Sequence, residues 1–136
     1  MTLYLIGLGL HDERDITVKG LEIIKACKKV YFETYTSKLN TAQANMEKIY
    51  EKKITAIPRS FVEEDAHKLL QEAKKEDVAV LIIGAPLAAT THIDLFLEAK
   101  KQKIPVEVIE NGSVLTAIGI TGLFLYKFGR TTTIPL

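Results

Sequence analysis

The sequence predicts an α/β protein with an open, mainly parallel sheet and helices on both faces. Two apolar runs of strand length, TLYLIGLGL near the start and DVAVLIIG in the middle, lack polar alternation, as strands covered on both faces do. Between the runs lie stretches of helical period, among them SFVEEDAHKLLQEAKKE, whose Val62, Ala66, Leu69, Leu70 and Ala73 form one apolar stripe. Strands that alternate with helices are joined by crossovers, and crossover connections make parallel pairs.

The elements follow in order. The first strand, from Thr2, closes on Gly7 and Gly9. Asp15 is then placed to cap a helix in which Ile16, Leu21, Ile24 and Cys27 share a face. KKVYFETYT is rich in β-branched and aromatic residues and predicts the second strand. A helix from Thr41 to about Glu51 carries Met46, Ile49 and Tyr50, and the short strand KITAIP ends at Pro58. After the striped helix and the strand DVAVLIIG come a helix from Thr91 to Lys101, the strand PVEVIE, a helix from Ser113 and a short strand TTTIPL. Residues 1–136 are expected to form a single α/β domain.

Composition narrows the function classes. Eighteen Lys and Arg balance 17 Asp and Glu, so no basic field advertises nucleic acid or an anionic membrane. One cysteine, Cys27, cannot form an internal disulfide, and no secretory leader opens the chain, so a cytoplasmic protein is expected. His11, His67 and His92 show no metal-ligand spacing, no Ser-His-Asp ordering stands out, and no metal is expected.

In sheets of this class ligands bind outside the carboxyl ends of the strands, so the loops that follow strands matter most. The first, GLGLHDERD, begins a G-x-G fingerprint, but Asp12 stands where the third glycine belongs, with Glu13 and Asp15 beside it. A pyrophosphate is disfavoured there, and a tight packed turn explains the glycines as well as a ligand does. The second, GAPLAATTH, joins Gly84 and Pro86 to Ala88, Ala89, Thr90 and Thr91. Short side chains leave a flat ligand room to lie against the backbone. Equally, the alanines pack beneath a helix that Thr90 or Thr91 caps, with His92 either a helix-end residue or a general base. The third loop is ENGSVLTAIG.

Three segments together carry a resemblance that spans nearly the whole chain: Leu3 to Ser37, IGAPLAATTHIDL from Ile83, and ENGSVLTAIGITGLFLYKFG onward from Glu110. They resemble the amino-terminal domain of the tetrapyrrole methylases, S-adenosylmethionine-dependent methyltransferases, and within them the diphthine synthase branch. The resemblance implies the first of two α/β domains, with S-adenosylmethionine folded in the cleft between them and S-adenosylhomocysteine as product. It implies cofactor contacts at Leu10, Ala85, Ala88, Ser113 and Val114, and leaves catalytic side chains unassigned. The implied substrate is translation elongation factor 2, methylated on the amino group of a modified histidine during diphthamide biosynthesis, by a homodimer.

Two departures follow from the same resemblance. The family usually reads Gly-Asp-Pro where this chain reads Gly84-Ala85-Pro86, and the second methylase domain is expected to be absent. Impaired activity in isolation is one expectation; a non-catalytic binding or dimerisation domain is the other. Methyl transfer from a sulfonium asks for alignment more than for acid–base groups, which suits loops so bare. The acidic HDERD loop is compatible with a cofactor that carries positive charge and no phosphate. GITGLFLYKFG is expected either to form an exposed apolar face that a dimer covers or to be an ordinary buried helix and strand.

Overall fold

A computed structural model describes residues 1–35, 37–88 and 90–132. Five strands form the sheet: β1 (Leu3–Gly7), β2 (Lys29–Glu33), β3 (Thr55–Ile57), β4 (Val78–Ile82) and β5 (Val106–Ile109). Their spatial order is β3-β2-β4-β1-β5, and every pair is parallel. The helices are α1 (Val18–Ala26), α2 (Gln43–Tyr50), α3 (Arg59–Glu63), α4 (Ala66–Ala73), α5 (His92–Lys101) and α6 (Val114–Ala117).

The expected open parallel sheet is what forms, and its two faces explain the unbroken apolar runs. Leu3, Leu5, Val78, Val80 and Ile82 point to the face covered by α3, α4 and α5, where Val62, Leu69, Leu70, Ala73, Leu95 and Ala99 meet them. Ile6, Ala79, Leu81 and Ile109 point the other way, against Ile24, Cys27, Met46 and Tyr50 of the α1–α2 layer. All five residues of β4 are buried, because it lies between β2 and β1 with helices above and below. The period-two alternation is present, but both phases are apolar.

Several boundaries differ from the sequence expectation. Thr17, not Asp15, caps α1: its hydroxyl oxygen accepts from the Gly20 N–H at 3.0 Å. The Asp15 carboxylate instead accepts from the Leu10 and His11 amides at 3.2 and 2.8 Å, so it is consumed inside the loop. The single striped helix divides into α3 and α4 at Glu64–Asp65, with Asp65 at the N-cap position of α4, a site that suits Asp better than a helix interior. The apolar stripe survives the break because both pieces rest on the same sheet face. Of the apolar residues that α2 carries, Met46 and Tyr50 are buried and Ile49 is exposed. Ser113 caps α6 through its hydroxyl, at 3.2 Å from the Leu115 amide nitrogen, but α6 lasts four residues before 3₁₀ turns at Ile118–Thr121 and Leu125–Lys127. In the expected TTTIPL strand, Thr131 and Thr132 are irregular, and positions 133–136 lie outside the described residues.

Candidate functional site

Strands β4, β1 and β5 are neighbours, so the loops that follow them emerge side by side at the carboxyl edge of the sheet. Parallel pairing places these three loops together although they lie some 75 and 25 residues apart in sequence, roughly by the strand spacing.

Glycine geometry shapes the floor. Gly9 and Gly84 both have positive φ, 79° and 78°, and form an isolated antiparallel bridge in which the Gly84 N–H donates to the Gly9 carbonyl at 2.8 Å. A Cβ on Gly7 would stand 2.6 Å from the Gly84 carbonyl oxygen and 2.8 Å from the Asn111 Cβ, so the strand end packs tightly against the backbone of the second loop and a side chain of the third. Gly84 is different: a Cβ there would meet nothing nearer than 3.7 Å, the Gly112 carbonyl and a Leu10 methyl. A Cβ on Gly112 would be 3.9 Å from the other Leu10 methyl. Leu10 therefore lies between the second and third loops, at van der Waals distance from both glycines, of which Gly84 is buried and Gly112 exposed.

Polar groups hold the loops in place. The Asn111 amide donates to the carbonyls of Gly7 and Asp15, each at 3.0 Å, and its Oδ1 accepts from the Gly112 N–H at 2.7 Å. One side chain thus ties the third loop to both ends of the first. Buried Tyr50 donates to the Glu13 carbonyl at 3.0 Å, anchoring the same turn from α2. Asp12 accepts from the Arg14 guanidinium and backbone N–H, and these bonds hold its carboxyl at about 2, below the ordinary 3.8. Within the loop Arg14 thus neutralises Asp12, and Glu13 and Asp15 leave it with net negative charge.

Of the residues expected to touch a cofactor, Leu10 is 40% exposed over the floor. Ala85 and Ala88 are half-buried and bracket a β-turn, the Ala88 N–H donating to the Ala85 carbonyl at 3.3 Å with Pro86 at its second position. Half-buried Ser113 follows Gly112 directly, so Leu10, Ala85 and Ser113 converge through their glycine neighbours. Val114 is 67% exposed and turns toward a separate apolar cavity of about 260 Å³ that it lines with Leu115, Ile118, Leu125 and Phe128. Ala89, expected among the small ledge residues, lies outside the described residues.

Sequence reasoning passed over Asn111, although an Asn-Gly pair directly after a strand is a signal for a shaped turn. It also missed a buried polar cluster at the neighbouring strand end. Glu33, the last residue of β2, and His92, the first of α5, are both fully buried. The Tyr35 hydroxyl lies 3.4 Å from His92 Nε2 with the rings stacked, and the Thr90 hydroxyl makes a short contact with Nδ1. Burial pushes the His92 pKa below its ordinary value, against the opposing charge of Glu33, so the imidazole is neutral at pH 7. Cys27 is buried as expected, its thiol pushed up to about 11 mainly by burial, which makes it inert. His67 is exposed on α4.

A larger cavity, about 570 Å³, lies between α3–α4 and α5, lined by Glu63, Ala66, Asp94, Leu95 and Glu98 among others. Thr91 also lines it, but Leu10, Gly84, Ala85, Ala88, Gly112 and Ser113 do not. Among the described residues no group of three His, Cys, Asp or Glu side chains is arranged to hold a metal, and no helix is long and apolar enough to cross a membrane.

Comparisons with known proteins agree with this architecture. The family model for tetrapyrrole (corrin/porphyrin) methylases matches residues 2–134. Diphthine methyl ester synthase of Homo sapiens is 50% identical over 132 residues, 97% of this chain and 46% of that protein. The Kluyveromyces lactis protein of the same name is 55% identical over 130 residues, 95% of this chain and 44% of its own. A crystal structure of diphthine synthase superposes with a TM-score of 0.92 at 40% identity, covering 95% of this chain and 52% of that one. The chain spans about half the length of these relatives. With the family model matching residues 2–134 and the fold superposing on a solved diphthine synthase, the chain belongs to the tetrapyrrole methylase family.

Proposed function

We propose that this chain is the cofactor-side domain of a diphthine synthase, and that S-adenosylmethionine lies on the floor formed by Leu10, Gly84–Ala88 and Gly112–Ser113. The observation that carries the reading is the convergence of three strand-end loops on one floor, with Leu10 within van der Waals reach of both Gly84 and Gly112 and the exposed Gly112 offering its backbone to a flat group. Its chemistry fits as well: Asp12 and Asp15 spend their carboxylates on local donors, and no cationic phosphate cradle forms in the loop. When bound, the cofactor supplies an activated methyl group. The chain's own part is to present backbone donors and acceptors and to fix the ligand's position; alignment of this kind is worth several kcal/mol of barrier.

The proposed acceptor is the modified histidine of translation elongation factor 2 in diphthamide biosynthesis. Its amino group is the site expected from the sequence resemblance. The word ester in the relatives' name adds a carboxylate oxygen to the proposed acceptors. The protein is read as cytoplasmic. Val114 is retained as a cofactor contact only with a second domain closing over the edge, given its exposure. Residues 1–136 form one domain in this reading, and the other half of the cleft is supplied by a second domain or chain.

Ala85 favours a second reading, a binding or dimerisation domain that no longer holds the cofactor. Calorimetric titration of S-adenosylhomocysteine into the chain and its Ala85→Asp variant, with and without the carboxyl-terminal half of a relative, separates the two. A charge-assisted hydrogen bond of about 1.5–3 kcal/mol predicts roughly 10- to 150-fold tighter binding in Ala85→Asp. Absence of binding in every combination would overturn the methyltransferase reading.

A further inference from the structure

The cluster at the ends of β2 and β4 has a geometry that the cofactor floor does not account for. His92 begins α5 and ends the segment that starts at Gly84, so whatever fixes His92 fixes the far end of the ledge. The near end is already fixed by the Gly9–Gly84 bridge. At the far end Thr91, at the N-cap position of α5, makes no side-chain capping bond to that helix and shares a hydrogen bond with the Tyr35 side chain instead. His92 adds a second anchor from inside. Nε2 faces the Tyr35 hydroxyl at 3.4 Å, Nδ1 contacts the Thr90 hydroxyl, and Thr90 Oγ1 accepts from the His92 backbone N–H at 3.3 Å. Tyr35 belongs to the segment that leaves β2, so the contact joins two strand-end loops across the sheet edge.

We propose that His92 is a positioning residue: its neutral imidazole, held between Tyr35 and Thr90, pins Thr90 and Thr91, where the chain enters α5, to the end of β2, and protonation releases that end. The chemistry follows from the ring's two nitrogens. A neutral imidazole accepts at one nitrogen and donates at the other, which satisfies two hydroxyls that can each donate or accept. An imidazolium donates at both, forces both hydroxyls to accept, and carries a charge into a fully buried site. The charged group that acts on it is Glu33 from the end of β2; Asp94 lies in the first turn of its own helix, and Glu33, Glu63 and Arg59 act on Tyr35. Burial outweighs the attraction of Glu33, so the lowered pKa agrees with the geometry.

The ligand in question is the one proposed above, and to that extent the inference rests on that reading; the test does not. Nuclear magnetic resonance on the 136-residue chain follows the His92 imidazole and the amides of Gly84, Ala85, Leu87 and Ala88 as pH falls from about 8 to about 5. The ledge amides are expected to move with the midpoint of His92, below the ordinary histidine value, and in His92→Gln that movement is lost while β1 and β4 amides keep their positions. Ledge amides that ignore the His92 midpoint overturn the proposal, as does the same movement persisting in His92→Gln. Should His92→Gln not fold, Tyr35→Phe keeps the ring stack and removes the hydroxyl. A displaced His92 midpoint with the ledge still following it then supports the proposal, and an unchanged midpoint overturns it. With S-adenosylhomocysteine added, affinity is expected to fall about tenfold per pH unit below that midpoint. Coupled ledge movement without any binding upholds the anchor and counts against the cofactor reading alone.

Discussion

The Gly84 amide donates to the Gly9 carbonyl at 2.8 Å, joining two loops whose parent strands are made 75 residues apart and whose φ angles are both near +80°. The two glycines are equivalent in conformation but not in surroundings, and that difference can be measured. Alanine at either position takes on a left-handed backbone, at about 1–3 kcal/mol. At Gly9 the added Cβ would also stand 2.5 Å from Asp15 Cβ, adding an overpacking cost of about 1–3 kcal/mol, whereas at Gly84 it makes only ordinary van der Waals contacts at 3.7 Å. Urea unfolding should therefore rank Gly9→Ala as clearly less stable than Gly84→Ala. Gly84→Ala should instead show its larger effect in ligand affinity, because its methyl occupies the floor beside Leu10. Equal stabilities would contradict the described packing.

Asn111 makes three hydrogen bonds that bridge the first and third loops. Asn111→Ala is expected to cost about 1–3 kcal/mol, since the Gly7 and Asp15 carbonyls each lose a donor. Asn111→Asp should be worse at neutral pH, because a carboxylate would face those two carbonyls with nothing to donate. Thermal unfolding of the two variants at about pH 7 checks the order, and a more stable Asn111→Asp would reverse the account.

Asp12 sets an acid limit on the first loop. Its pKa in the folded chain is held at about 2, below the ordinary 3.8, first by the Arg14 side chain and then by the Arg14 amide. A carboxylate with a depressed folded pKa contributes stability that is present above the unfolded value and lost as pH falls toward the folded one. Between about pH 4 and pH 2 the native chain should lose stability that Asp12→Asn does not lose. Denaturant midpoints across that window give the comparison, and parallel curves would remove Asp12 from the acid response.

The segment from Ile120 to Phe128 presents Ile120 at 95% and Tyr126 at 81% exposure, with Leu123, Phe124 and Phe128 also exposed. The expectation of an exposed apolar face holds there, and the alternative of a buried helix and strand does not. An uncovered surface of this kind favours association. Sedimentation velocity should show concentration-dependent self-association of the chain, abolished by Phe124→Ser with Tyr126→Ser. Those rings stack on one another at 5.5 Å outside the sheet's two cores, so the double change should leave the fold intact.

Much of the candidate site was legible because it is written in residue types. Gly7, Gly9, Gly84 and Pro86 mark turns in any context, and strand-end loops in a parallel sheet are where ligands go. The functions of Asp15 and Thr17 were not legible, since both are good capping residues and only the competing Leu10 and His11 amides decide which one caps α1. His92 was ambiguous for a similar reason: its burial depends on Tyr35, a partner 57 positions away.

By itself the sequence determined the class of the protein. Apolar runs too long for one-sided strands, alternating with amphipathic helices, admit few arrangements other than a parallel sheet covered on both faces, because backbone hydrogen bonds and apolar area must both be satisfied. The tertiary structure alone decided which loops meet. Strand order β3-β2-β4-β1-β5 places Leu10, Gly84 and Gly112 over one floor and sends Val114 to another surface, and no local pattern encodes that order. It arises from side-chain packing across the sheet between residues distant in sequence, where a difference of a few kcal/mol selects one arrangement from many.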